Sequence, residues 1–142
     1  MGIAYQLLFW IHMISLAAGG VAAYGIPIVG MRMATATAET RPLLFSLAER
    51  FSNVGRVALA LLIITGPTMF WLGWNWTAPN MAAFITKMVL VVLLLIVVII
   101  AGINAKRAQG GDMTAAKRAP MLGMTAALIF TLIPLAAALA FK

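Results

Sequence analysis

From Met88 to Ile103 the chain reads MVLVVLLLIVVIIAGI, without one charged or hydrogen-bonding side chain. Such a stretch has no polar face to turn toward water. In lipid its backbone amides must be satisfied internally, which leaves a helix or a closed barrel. Barrel strands alternate apolar and polar residues, and this run does not, so the sequence predicts a helix. Three more apolar runs accompany it. The first covers about Ala4 to Met31, the second about Asn53 to Trp76, the third about Met81 to Asn104, and the fourth about Pro120 to Phe141. Each has the roughly 20 residues needed to cross a hydrocarbon core of about 30 Å. Only 9% of the 142 residues are charged and 64% are hydrophobic. A soluble domain would carry about 25% charged residues to coat its surface. The expected fold is all-α: one integral-membrane four-helix bundle whose short connections make neighbouring helices antiparallel.

The connections carry their own signals. Thr40-Arg41-Pro42 interrupts the first loop, Thr77-Ala78-Pro79-Asn80 makes a short turn, and Gln109-Gly110-Gly111-Asp112 ends the third helix. Pro120 suits the first turn of the fourth helix. Pro42 to Arg50, with the spacing LLFSLAERF, suits a short interfacial helix. The net charge of +7 lacks a basic stripe with interleaved aromatics, so it does not predict a nucleic-acid partner. It gathers instead around two loops: Arg32, Arg41, Arg50 and Arg56 at one, and Lys106, Arg107, Lys117 and Arg118 at the other. The positive-inside rule puts both loops in the cytoplasm and both termini on the outer, periplasmic side. Trp71, Trp74 and Trp76 then form an aromatic belt at the outer end of the second helix. The N-terminus lacks the basic region and cleavage site of a secretory signal, so the first run is expected to stay as a span.

His12 is the single histidine, and it lies inside the first span. Its helical face holds Tyr5, Phe9, Ser15, Gly19 and Ala22 or Ala23. Small residues at such spacing mark a helix contact in lipid, so His12 is expected to face the bundle. Counting 1.5 Å per residue, Met13, Met69, Met88 and Lys87 fall within about 15 Å of the same surface. An intramembrane His is a functional candidate by default, although a cross-helix hydrogen bond is the structural alternative. Met commonly fills gaps in apolar cores. Lys87 has the length to snorkel to the interface. Arg56, near the start of the second span, has Glu49 or an anionic lipid headgroup as prospective partners.

Several chemistries are excluded. Without cysteine there are no disulfides, thiolate sites or cysteine nucleophiles. GxxxxGK[ST], GxGxxG and HExxH are absent. Glu39, Glu49 and Asp112 all lie outside the four runs, so no carboxylate pair serves an intramembrane hydrolase or proton relay. An enzyme is therefore not the favoured reading. Any chemistry rests on His12 as a metal or cofactor ligand.

Three segments resemble a known family. RFSNVGRVALALLIITG, from Arg50 to Gly66, is similar to the RFS…ALxxLxxTG pattern of the copper-resistance D domain family. TKMVLVVLLLIVVIIAGINAKR resembles its KLxLxxxLLxxAxxNRR segment through Lys87, Asn104, Lys106 and Arg107. WIHMISLAAGG resembles its LHxxxxxxWxGG through His12, Gly19 and Gly20, with Ala17 or Ala18 where that family tends to have Trp. The resemblance implies a four-helix domain for copper handling at the bacterial inner membrane. A neighbouring resemblance is to the J-type protoporphyrinogen oxidases, four-helix proteins linked to haem, with Asn104 where their pattern implies a second His.

Three functions follow as expectations. The first is copper binding or passage. Copper(I) favours thioether and imidazole ligands, here His12 with Met69, Met88 or Met13. Adjacent helical residues point about 100° apart, which favours Met69 and Met88 over Met13. The second is a b-type haem ligated by His12, alone, with Met69, or across a homodimer. The third is an accessory subunit of a larger membrane complex that meets lipid or a partner through its apolar faces.

Overall fold

The computed structural model describes residues 2–142. Four helices follow in order: α1 (Ile3–Met33), α2 (Arg41–Trp74), α3 (Met81–Gln109) and α4 (Met113–Ala140). Each is long and apolar enough to cross a membrane, and no strand occurs among the described residues. The chain has the architecture of a multi-pass membrane protein.

Three helix ends differ from the hydropathy reading. The segment from Pro42 to Arg50 is not a separate interfacial helix; α2 runs unbroken from Arg41 to Trp74. Pro42 sits in the first turn, where its missing N–H has no helical partner to lose. Nothing between Arg50 and Asn53 breaks the backbone, so the helix continues at the rise of about 1.5 Å per residue, beyond a core of about 30 Å. At its far end α2 stops at Trp74, because Asn75 and Trp76 both adopt positive φ, 43° and 64°. α4 starts at Met113 and not at Pro120, which lies inside it. The start is set by Asp112, whose carboxylate accepts from the N–H groups of Thr114 and Ala115 at 3.0 and 3.1 Å. That cap satisfies two orphan donors of the first turn. Pro120 frees the carbonyl of Ala116, which is exposed and so has other partners available.

α1 packs along α2, α3 along α4, and α1 also meets α4, whereas α2 and α3 do not pack along each other. Contacts step down α2 as they step up α1. A Cβ added to Gly73 would lie 2.6 Å from the Tyr5 ring; one on Gly66, 3.6 Å from His12; one on Gly55, 3.0 Å from the Ala22 Cβ. Gly25 meets Phe51 in the same way at 3.1 Å. At Gly73, Gly55 and Gly25 the missing side chain lets the two helices approach, the usual device for helix contact where lipid supplies no hydrophobic drive. The predicted α1 face is present in Ser15, Gly19 and Ala22, all buried, but Phe9 is 49% exposed and faces outward. Spacing alone placed Phe9 on that face. Its ring lies outside the glycine-to-side-chain contacts that form the seam.

The centre of the bundle is formed by Leu59, Leu94 and Phe130, with Leu16, Ala23 and Ile133 against them. The Phe130 ring fills the space left by Gly19 and Gly20. Beside it the Tyr24 hydroxyl shares a 2.7 Å hydrogen bond with Thr131, joining α1 to α4. At one end Phe70, Trp74, Trp76, Phe84 and Phe141 form an aromatic cluster, with Phe70 and Phe84 stacked at 4.0 Å. At the other end the Asn104 amide donates to the Ala115 carbonyl at 2.7 Å, tying α3 to α4. Asn104→Ala is therefore expected to cost about 0.6 kcal/mol, the average for such bonds in lipid, and at most about 1.7. Thermal unfolding in detergent measures it.

Candidate functional site

The His12 ring reaches from α1 to α2. Its Nδ1 lies 2.8 Å from the Thr65 hydroxyl, and that hydroxyl donates to the Leu61 carbonyl at 2.7 Å. A hydroxyl has one proton to give. With that proton on Leu61, Nδ1–H is the donor to Thr65 and the lone pair of neutral His12 resides on Nε2. Thr65 is 3% exposed, so the anchoring bond is shielded. Gly66 faces the ring, at a distance where a Cβ would lie 3.6 Å from it, an ordinary contact. Thr68 donates to the Ile64 carbonyl at 2.7 Å, so threonine hydroxyls flank Pro67 on both sides.

The sequence-predicted residues fall into two groups around this ring. Met69 stands one turn beyond Thr65 on the same face of α2 and is half-buried. Lys87 on α3 is half-buried, with its Nζ 5.9 Å from the centroid of the Phe141 ring. Met13 is 45% exposed, turned away from the bundle next to His12. Met88 is 37% exposed, turned away next to Lys87. Arg56 and Asn104 belong to the other end, where Arg56 lies against Gly102 and Asn104 is occupied by Ala115.

The donor set decides what chemistry is on offer. Among the described residues no three His, Cys, Asp or Glu side chains converge as a metal cage. What remains is the free imidazole nitrogen of His12 and, one turn along α2 from its partner Thr65, the soft sulfur of Met69. The sequence reading missed Thr65 as the partner of His12. Its signal was present: a hydroxyl residue beside glycine in an apolar helix, at a depth similar to that of His12. The chain matches no protein-family model, no curated protein and no solved structure.

Proposed function

We propose that this chain is a bacterial inner-membrane protein of copper-resistance D type, binding copper(I) or passing it through a His/Met site in the outer leaflet. His12 Nε2 is the nitrogen ligand and the Met69 thioether the sulfur ligand, with Met88 and Met13 as outlying thioethers. One observation carries the reading: Thr65 holds Nδ1, which leaves the lone pair on Nε2, and Met69 follows Thr65 by one turn of α2. Copper(I) is the common metal that accepts a neutral imidazole and thioethers without a carboxylate or thiolate. A hydrogen bond on the far ring nitrogen is the usual way a ligating imidazole is aimed. Copper is here cargo.

The proposed topology has antiparallel neighbours and both termini outside. The descending contacts between α1 and α2 support the first, and the basic residues around the first and third loops support the second. Haem b fits less well, because His12 is the single histidine and a second imidazole ligand would have to come from another chain. An accessory-subunit role is favoured by one observation, that Leu94 is the only buried residue of α3, which leaves most of that helix for lipid or a partner.

The test is elemental analysis and a visible spectrum of detergent-purified protein, with copper(I) titrated against a chromophoric chelator. About one copper per chain is expected, lost in His12→Ala and weakened roughly tenfold in Met69→Leu. Iron with a Soret band would replace copper by haem. Neither metal, after reconstitution with both, would leave the accessory subunit.

A further inference from the structure

Away from His12, α2 and α3 diverge and leave a groove of about 360 Å³ between them. Leu59, Ala60 and Ile63 line it from α2, and Leu95, Val98 and Ile99 from α3. Arg56 and Lys106 line its end nearest the basic loops. The Arg56 guanidinium lies across α3 at Gly102, where a Cβ would come within 3.4 Å of Nη2. Its side-chain partner is Asn53, at a long 3.4 Å. Lys106 follows Gly102 by one turn on the same face. Two cations thus flank one mouth of an apolar slot. Further along the two helices, beyond the groove, Phe70 of α2 and Phe84 of α3 stack at 4.0 Å and bridge them.

We propose that this groove is a binding site for one acidic phospholipid, with its phosphate held by Arg56 and Lys106 and an acyl chain along α3. Its length decides the occupant. From Leu95 to Lys106 the rise of 1.5 Å per residue gives about 16 Å, the depth of a single leaflet of a core about 30 Å thick. A partner helix, about 10 Å across, would need α2 and α3 apart along the whole bundle, and the Phe70–Phe84 stack joins them at one end. The apolar lining takes the chain, and the cationic mouth takes a headgroup phosphate that brings its own negative charge. Net positive charge around the same loops draws acidic lipid to this end.

Native mass spectrometry of the full chain from detergent supplies the test, with dioleoylphosphatidylglycerol and dioleoylphosphatidylcholine offered separately. One phosphatidylglycerol adduct is expected to survive collisional activation, favoured over phosphatidylcholine by about thirtyfold from two ionic contacts. Arg56→Gln with Lys106→Gln is expected to bring the two lipids level. Arg41→Gln with Arg50→Gln removes the same charge elsewhere and is expected to keep the preference. Ile99→Trp, which fills the slot and leaves both cations, is expected to lose the adduct; should that variant misfold, the two charge pairs decide. Equal binding of both lipids, equal loss in both charge variants, or a dimer without lipid would each overturn the site.

Discussion

Thr65→Val is expected to weaken copper(I) binding by about tenfold to a hundredfold, while Thr65→Ser binds like the unmodified protein. Valine keeps the branched shape and removes the hydroxyl that accepts from His12 Nδ1 at 2.8 Å. The imidazole then loses the bond that sets its tautomer and its rotation. The proton is free to move to Nε2, which removes the lone pair on offer to the ion. Serine keeps the hydroxyl and the donation to Leu61. The bond is shielded from competing water because Thr65 is buried, so its loss is not made good by solvent. Chelator competition on the three proteins measures the effect, and equal affinities in Val and Ser would remove Thr65 from the site. The variant separates orientation from ligation, since His12 is still present.

Gly55→Val is expected to destabilise the bundle by about 1–3 kcal/mol, the usual range for overpacking. Even one Cβ at this position would meet the Ala22 Cβ at 3.0 Å. Neither atom sits on a rotatable side chain, so relief requires α1 and α2 to move apart along their shared seam. Ala22 is 2% exposed, which leaves it no empty side to move into. Ala22→Gly in the same chain should recover part of the loss, because it removes the opposing methyl. Gly30 lies in the same α1 helix with nothing within 4 Å of its added Cβ. Gly30→Ala is therefore neutral or slightly stabilising, by up to about 1 kcal/mol from helix propensity. Reversible unfolding in mixed micelles ranks the four proteins. Equal stability of Gly55→Val and Gly30→Ala would mean that the seam is not packed as described.

Much of the fold was legible because its main signal is local. A run such as Met88 to Ile103 has one solution in lipid, whatever surrounds it. Helix ends were less legible where they leave the hydrocarbon. The hydropathy of Arg41 to Arg50 and of Met113 to Ala119 falls, yet the backbone remains helical in both. Asp112 after two glycines was the readable cap for α4, and it outweighs the later proline as a start signal. The candidate site was half legible. His12 stands out as a lone ionisable ring in an apolar helix, but the turning outward of Met13 and Met88 depends on packing.

The sequence by itself determined that this chain makes four apolar helices with its cations gathered around two loops, because hydropathy and charge act residue by residue on the transfer to lipid. Tertiary structure alone decided that His12 meets Thr65, that Phe130 fills the space at Gly19 and Gly20, and that α2 and α3 part around a groove. Those outcomes depend on the register between helices. Register is set by where glycines let backbones close and where bulky rings hold them apart, and that is a property of pairs of surfaces which neither sequence segment carries alone.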